Sequence, residues 1–306
     1  MSFIKENVPV ELIDRLYTVG GYVRDQIMGV SDSHDIDIVL ADSKPEDYDI
    51  LIANGFKQVD NKTFPVFTKF VGAMELQVAA GRAEKKIGLG HAGFEVITGV
   101  SIDDDLVRRD FTCNAVCRRV SDGSIYDPLN GIADIEKGIL RACGPAFVDD
   151  PERAFRALRF AAKLNFKIEK NTLTMIKECA KEFDSFATER VGLELMKAMS
   201  GALPSEFFRL MVEVNIGQEF FPEIFDMVSI PAGPTSRFHP EGETVFDHSM
   251  LVLDCLRLAI KQMDGNSDRI PSFFAPGKAG PVELYAVIGP GDTRAPVMTI
   301  MLIGED

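Results

Sequence analysis

The chain has 306 residues, enough for two domains and for a hydrophobic core that needs no disulfides. Hydrophobic residues make up 46% and charged residues 26%, which excludes a largely disordered chain. Acidic residues number 47 against 33 basic ones, and the net charge of -14 argues against a generic nucleic-acid coat protein. It does not exclude a local basic site on an acidic body.

The cysteines and the apolar segments indicate the cellular compartment to expect. The five cysteines are few and odd in number, so we expect thiols in a reducing, cytoplasmic environment. Cys113 and Cys117 are four residues apart, but no second Cys or His pair lies near them in sequence, so we interpret them as structural. Neither a secretory leader nor an apolar run of about 18 residues is present, and we expect no membrane partner.

Short strands and helices alternate up to about residue 140. The segment LYTVGG predicts a strand that runs into a glycine turn, and YVRDQIMG predicts a helix. The segments DIDIVLA, PVFTKFVG and MELQVAAG predict further strands. This alternation indicates a mixed sheet with helices.

Helices dominate from Asp150 onward. They are predicted in DPERAFRALRFAAKL, NTLTMIKECAKEF, ERVGLELMKAMSG, PSEFFRLMVEV and VFDHSMLVLDCLRLAIKQM. An Asp followed by Pro151 is typical of a helix start. After Gly265, glycine and proline are frequent and helical periodicity disappears. We therefore predict an α+β fold with a mixed-sheet head over 1–140, a helical neck and body over 141–225, and a helical segment with an irregular tail over 226–306.

A glycine turn followed by two aspartates is the sharpest local pattern. Gly20 and Gly21 let the backbone approach a ligand closely, and Arg24 lies one turn into the following helix. Asp35 and Asp37 are two residues apart on a predicted strand, so both carboxylates project from one face. Two hard oxygen ligands beside a phosphate site are what Mg²⁺ needs. Either motif alone is also typical of an ordinary tight turn or a solvated strand.

Two arginine clusters follow. In DDDLVRRDFTCNA, Arg109 can clamp a triphosphate while Asp110 and Asn114 hydrogen-bond a ribose; a salt-bridged helix start explains the pattern equally well. The later helix carries Arg153, Arg156 and Arg159 at spacings of three. There we interpret Asp150 and Arg153 as an edge facing a nucleobase, with Arg156 and Arg159 contacting phosphates. A solvated amphipathic face is the alternative.

Four separated segments resemble one family. GGYVRDQIMG…HDIDIVL, EKKIGLGHAGFEV…IDDDLVRRDFTCNAV, IYDPLNGIADIEKGILR and GPAFVDDPERAFRALRFAAKL together resemble bacterial CCA-adding tRNA nucleotidyltransferases, the class II branch shared with bacterial poly(A) polymerases. The resemblance covers about residues 16–255. It implies a nucleotidyltransferase head in which the 3′-hydroxyl of tRNA attacks the α-phosphate of CTP or ATP and releases pyrophosphate.

The resemblance also implies a role for each matching residue. Asp35 and Asp37 would bind catalytic Mg²⁺. Asp150 and Arg153 would read CTP or ATP by its Watson–Crick edge, and Asp110 and Asn114 would check the ribose. The remaining nucleotide-contacting positions would be Gly20, Gly21, Arg24, Arg109, Arg156 and Arg159.

The chain departs from the family pattern in three places. Asp149 replaces the usual glutamate of the base-reading motif. Gln77 occupies the register of a further carboxylate found in relatives, with Glu75 two residues earlier. The segment HPEGETVFDHSM resembles the start of an HD phosphohydrolase domain, but no histidine follows His248, so we interpret His239 and His248 as remnants.

Several functions remain open from the sequence. The nearest rival is poly(A) addition to RNA 3′ ends, because both activities share every head motif. Addition of only CC or only A is a variant of the first hypothesis. A non-catalytic nucleotide-binding relic fits the eroded C-terminal region, but Asp35 and Asp37 argue against it. A phosphohydrolase would need metal ligands that the sequence does not show.

Overall fold

The computed structural model describes residues 2–30, 35–60, 64–88, 94–185, 187–201, 203–233, 242–262, 269–277, 280–290 and 296–302. The GHAGFEV segment falls partly outside these residues, and so does His239. Contacts between Cα atoms divide the chain into two compact units. Unit 1 comprises residues 1–157 and 165–186, and unit 2 comprises residues 158–164 and 187–306.

Unit 1 is built on a mixed sheet. Its helices are α1 (Ser2–Asn7), α2 (Gly21–Ile27), α3 (Pro45–Ala53), α4 (Ile102–Val107), α5 (Gly131–Lys137) and α7 (Lys170–Cys179), with the first part of α6 (Glu152–Leu164). Its strands are β1 (Leu16–Thr18), β2 (Asp35–Leu40), β3 (Lys57–Gln58), β4 (Val66–Val71), β5 (Met74–Ala80), β6 (Arg82–Lys86), β7 (Phe94–Thr98), β8 (Cys117–Arg119), β9 (Ile125–Tyr126), β10 (Ile139–Leu140) and β11 (Lys167–Ile168).

The main sheet has the strand order β3-β4-β5-β2-β1-β8-β9. Strands β2 and β5 pair in parallel, whereas the neighbouring pairs are antiparallel. Strands β6 and β7 form a separate hairpin. The predicted mixed sheet and the strands in LYTVGG, DIDIVLA, PVFTKFVG and MELQVAAG are confirmed.

Successive side chains of β2 lie on opposite faces of the sheet, and one of these faces is only partly covered. Ile36, Ile38 and Leu40 are buried in one hydrophobic cluster that also contains Leu51 of α3. On the other face, Val39 packs in a second cluster with Ile102 and Leu106. Because this second cluster covers only the later half of β2, the face at its start is open, and Asp35 and Asp37 lie there exposed to solvent.

Unit 2 is helical and then forms strands. Its helices are α8 (Thr188–Met199), α9 (Ser205–Val214), α10 (Pro222–Asp226) and α11 (Val245–Gln262), with the last part of α6. Helices α6, α8, α9 and α11 match predicted segments, whereas the short helix α10 was not predicted. Among the described residues, none of the helices is long and apolar enough to cross a membrane.

The predicted irregular tail is wrong. Three strands, β12 (Arg269–Gly277), β13 (Gly280–Pro290) and β14 (Pro296–Leu302), form an antiparallel sheet. The frequent glycines and prolines that suggested an irregular tail lie largely at strand ends, where Gly277 pairs with Gly280 and Pro290 with Pro296. The runs between them, such as VELYAVI and VMTIML, are rich in β-branched and apolar residues that favour strands. The three-segment division at 140 and 225 concerns roles rather than packing and stays a prediction.

Candidate active site

The glycine turn brings Asp37 and Arg109 together. Gly20 ends the link from β1 to α2 with φ 73° and ψ −144°, a backbone conformation open almost only to glycine. A Cβ atom at Gly20 would lie 3.4 Å from Asp37 Oδ2 and 3.8 Å from Arg109 Nη1. The backbone N–H of Val19 donates to the carbonyl of Asp37 at 2.9 Å, which fixes the turn against β2. Three residues predicted from separate motifs therefore line one small space.

Arg109 is oriented by an aspartate that the sequence did not single out. Its Nε and Nη2 donate to Asp105 Oδ2 at 3.2 and 2.9 Å, which leaves Nη1 on the side of Gly20 and Asp37. Asp105 Oδ1 accepts from Arg108 as well. Burial alone would raise the pKa of Asp105, but the charges of Arg109 and Arg108 lower it to about 2. The predicted alternative was a salt-bridged helix start, but these ion pairs join Asp105 to arginines at the C-terminal end of α4.

The spacing of Asp105 in DDDLVRRD contains the missed signal. An aspartate three and four residues before two arginines on a helical turn faces both of them, which is the geometry of i,i+3 and i,i+4 ion pairs. By residue type alone, Asp103, Asp104 and Asp105 are three equivalent acidic residues in the first turn of a helix, where each would complement the helix dipole. The structure separates them, because Ser101 caps α4 through the N–H of Asp104 while Asp105 alone is fully buried.

The second group of predicted residues forms a buried polar network. Arg24 Nη1 donates to Asn114 Oδ1 at 2.6 Å, and Asn114 Nδ2 donates to Asp110 Oδ1 at 3.1 Å. Arg156 of α6 donates through Nε to Asp110 Oδ2 at 3.0 Å, with a second bond from Nη2. Burial opposes ionisation, but Arg156 and Asn114 lower the pKa of Asp110 to about 2. Asp110 is therefore ionised at neutral pH.

Arg24 lies beneath the site rather than at its surface. Only 2% of the residue is exposed, and its Nε also donates to Asp25 Oδ1 at 2.8 Å. A Cβ atom at Gly21 would lie 3.4 Å from Arg24 Nη2, so the small residue leaves space for the guanidinium to fold back. This geometry makes Arg24 a support for Asn114.

The start of α6 is tied to the RRD motif. Arg153 Nη2 donates to the carbonyl of Arg108 at 2.7 Å, and its Nη1 donates to the carbonyl of Ala146 at 2.8 Å. Asp150 Oδ1 accepts from the N–H of Glu152 at 3.1 Å, as expected of a residue at a helix start. The two predicted base-reading residues are held in place by backbone groups.

Arg159 is engaged elsewhere. It belongs to unit 2, where it is 8% exposed and its Nε donates to the fully buried Glu194 of α8. Glu194 also pairs with Lys197 at 2.7 Å. The structure thus gives Arg159 a carboxylate partner in unit 2. Its predicted phosphate contact stays a prediction, and no local pattern in the sequence indicates Glu194, which lies 35 residues away.

The register of β2 and β5 places two more polar residues beside the aspartates. Glu75 lies directly opposite Asp35, and Gln77 lies directly opposite Asp37. Although Asp37 is exposed on one side, desolvation by the surrounding protein raises its pKa; Arg109 lowers it, and Asp35 and Glu75 raise it further. Among the described residues, no group of three or more His, Cys, Asp or Glu side chains is arranged to hold a metal ion. A metal at this site would be held by Asp35 and Asp37 with ligands from outside the chain.

Comparison with known proteins identifies the family. Residues 16–141 match the model described as the poly A polymerase head domain, and residues 165–227 match the one described as a probable RNA and SrmB-binding site of polymerase A. The two segments cover more than half of the chain. The multifunctional CCA protein of Nitrosomonas europaea is 38% identical over 244 residues. The chain belongs to the poly(A) polymerase and CCA-adding nucleotidyltransferase family.

Solved structures of this family share the fold. A tRNA nucleotidyltransferase complexed with a primer tRNA and an incoming ATP analogue superposes with a TM-score of 0.58 and 25% identity over 70% of this chain and 63% of that one. A CCA-adding enzyme in complex with CTP superposes with a TM-score of 0.56 and 28% sequence identity, over 68% of this chain and 49% of that one. The match to the Nitrosomonas europaea protein covers 78% of this chain and 57% of the relative's length. The family resemblance drawn from the sequence is confirmed.

The described part of the HD-like segment belongs to unit 2. His248 lies on α11, and its Nδ1 is 4.0 Å from Glu243 Oε2. His239 lies outside the described residues, so its interpretation as a remnant stays a prediction. The four cysteines whose side chains are described, Cys113, Cys117, Cys143 and Cys179, are free thiols.

Proposed function

We propose that the protein adds CCA to tRNA 3′ ends by transferring CMP and AMP from CTP and ATP without a nucleic-acid template. The observation that supports this most is the convergence of Gly20, Asp37 and Arg109. It joins a carboxylate pair to a cation that is itself held in place by Asp105. The family relationship and the relatives named above support the tRNA substrate and the two nucleotides.

The carboxylates fit a divalent metal, which enzymes of this family use, and we propose Mg²⁺. Asp35 and Asp37 share the open face of β2, where desolvation raises the pKa of Asp37 and repulsion by Asp35 adds to the rise. A divalent cation would relieve that repulsion, and Mg²⁺ is commonly held by one or two carboxylates together with substrate phosphates. Bound there, it would activate the primer hydroxyl and neutralise charge on the phosphates.

The remaining residues position the nucleotide. Arg109 presents Nη1 beside Asp37, where charge develops on the departing pyrophosphate, and Asp105 prevents the guanidinium from turning away. The network of Asp110 and Asn114 offers fixed hydrogen-bonding groups to a ribose. Because Arg24 and Arg156 hold that network from two sides, its geometry is set before the substrate arrives.

Base choice would depend on Asp150 and Arg153. Each makes a hydrogen bond at the start of α6, and Arg153 is bonded to the carbonyl of Arg108, next to the triphosphate-binding Arg109. The base-reading edge and the phosphate clamp are therefore linked through one peptide segment. We also propose a cytoplasmic location, in which the four free thiols would stay reduced.

The variant Asp35→Ala tests the proposal. We expect it to abolish nucleotide incorporation into tRNA that lacks its terminal CCA, while tRNA binding measured by fluorescence anisotropy changes less than about threefold. The exposed Asp49→Ala on α3 is the matched control and should remain active. Retained incorporation by Asp35→Ala would remove the metal-binding role assigned to β2.

A further inference from the structure

One large aromatic side chain lies exposed on the same sheet face as the two aspartates. Phe70 of β4 is 70% exposed. It lies opposite Glu75 of β5, which in turn lies opposite Asp35 of β2. Directly paired residues on neighbouring strands project from the same face, so these three side chains form one row across the sheet.

The row is short enough for a single nucleotide to span. Neighbouring strands lie about 4.8 Å apart, so two strand spacings separate Phe70 from Asp35 by about 10 Å. A second row beside it runs from Asp37 through Gln77 to Thr68, and the side chains of Gln77 and Thr68 are half-buried. Polar residues therefore lie between the aspartates and the phenyl ring.

The core does not need Phe70. Its neighbour Phe67 is 1% exposed and lies in the hydrophobic cluster on the opposite face, and Val71 packs against the same cluster. With 70% of its surface exposed, Phe70 contributes little to that cluster, and an aromatic ring at such a position is suited to stacking on a nucleobase.

The chemistry fixes the side from which the RNA must approach. In an in-line displacement, the attacking and leaving oxygens lie on opposite sides of the phosphorus atom. The glycine turn follows β1, which lies on one side of β2, and Arg109, which would receive the pyrophosphate, lies beside that turn. The attacking 3′-hydroxyl therefore approaches from the other side, over β5 and β4, where Phe70 lies.

We propose that Phe70 is a stacking platform for the 3′-terminal base of the RNA primer. The inference rests on the proposed function, because it assumes that an RNA 3′-hydroxyl is the attacking group. Stacking suits this position because the terminal base changes with each addition, and an aromatic ring accepts every base. A hydrogen-bonding residue at the same place would favour one primer end over the next.

Phe70→Ala and Phe70→Trp test the proposal. In the full chain, we expect Phe70→Ala to raise the KM for tRNA lacking its CCA end by about 5- to 30-fold and to weaken binding of that tRNA without nucleotide in proportion. The KM for CTP should change less than about twofold, because the ring lies away from Arg109. Phe70→Trp should retain the wild-type KM for tRNA, since indole stacks at least as well.

The matched control is Ile52→Ala. Ile52 is 50% exposed on α3, whose Leu51 packs in the cluster on the opposite sheet face. Ile52→Ala should leave the KM for tRNA, the KM for CTP and the binding of tRNA unchanged. Unaltered tRNA binding by folded Phe70→Ala, or an equal loss in Phe70→Trp, would overturn the stacking role. Wild-type protein that binds tRNA but incorporates no nucleotide would instead contradict the proposed function, and the binding comparison would still decide the role of Phe70.

Discussion

A continuous line of hydrogen bonds runs from Asp25 through Arg24, Asn114 and Asp110 to Arg156. Each buried charge in it has an opposite charge or an amide as its partner, which is the condition for burying charged groups at modest cost. Because the members share partners, a change in one reorients the others. Substitution of Arg24 or Arg156 should therefore disturb Asp110 and Asn114, the pair proposed to check the ribose.

We expect Asp110→Asn to reduce the preference for CTP over dCTP by about tenfold. Asn114 and Arg156 donate to different oxygens of the Asp110 carboxylate, so in asparagine one of these donors would face an NH2 group and the network that orients Asn114 would be broken. Steady-state kcat/KM values for the two nucleotides measure the effect. Asp122→Asn, at an exposed position, is the control. An unchanged ratio in a correctly folded variant would show that Asp110 serves folding alone.

The sequence indicates which residues matter here more readily than what they touch. Gly20, Asp37, Arg109, Asp110 and Asn114 come from motifs whose residue types limit their chemistry, and the structure brings them close together. Glu194 could not be predicted, since its pairing with a residue 35 positions away depends on how α6 and α8 pack in unit 2. Tertiary pairing of this kind leaves no periodicity in the chain.

The turn between β1 and α2 is the element on which the site geometry depends most directly. Its hydrogen bond to the carbonyl of Asp37 couples the start of α2 to β2, the strand that carries both aspartates. The turn also sets the distance between Asp37 and Arg109, because both side chains contact the space left by the missing Cβ of Gly20. A change there moves the carboxylate and the cation together.

We expect Gly20→Ala to lower kcat/KM by about 100-fold. The new methyl group would strain the backbone at positive φ and would occupy the space between Asp37 and Arg109. Gly29→Ala is the control, since Gly29 also has a positive φ of +74°, but no atom lies within 4 Å of its added Cβ. This control should lose some stability and keep its activity. Equal activity in the two variants would be inconsistent with the role assigned to the turn.

The strands show which features of the sheet a residue pattern predicts and which it does not. The alternation of DIDIVLA predicts a strand with both aspartates on one face, and β2 confirms it. The parallel pairing of β2 with β5, which sets Glu75 against Asp35, follows from sheet topology and not from either strand's sequence. The C-terminal strands were not predicted because their frequent glycines and prolines were given more weight than the apolar runs between them.

For the molecule as a whole, the net charge of -14 does not show that several arginines are paired with buried carboxylates. Several cations that looked available for RNA are already paired, with Arg108 and Arg109 on Asp105 and Arg156 on Asp110. The positive charge that substrates meet is therefore smaller than a count of arginines suggests. For the proposed function we therefore expect RNA binding to be modest and salt-sensitive.

Acid should destabilise unit 1 through these same carboxylates. The folded-state pKa of Asp105 is about 2, below the ordinary value of about 3.9, so its ionised form stabilises the fold above pH 4 and that contribution disappears as the pH falls toward 2. We expect Asp105→Asn to cost about 2 kcal/mol at pH 7 and almost nothing near pH 2. Urea unfolding across this range measures the difference. Asp49→Asn should instead give a curve parallel to the wild type, and a constant gap for Asp105→Asn would refute the linkage.

The order in which nucleotides are added to a tRNA lacking its CCA end tests template-free CCA synthesis most directly. The purified protein is incubated with that tRNA and with CTP alone, ATP alone or both, and the new 3′ ends are sequenced. We expect two C residues from CTP, no addition from ATP alone, and C, C and A followed by a stop when both are present. Long A tracts made from ATP without CTP would contradict this function and favour poly(A) synthesis.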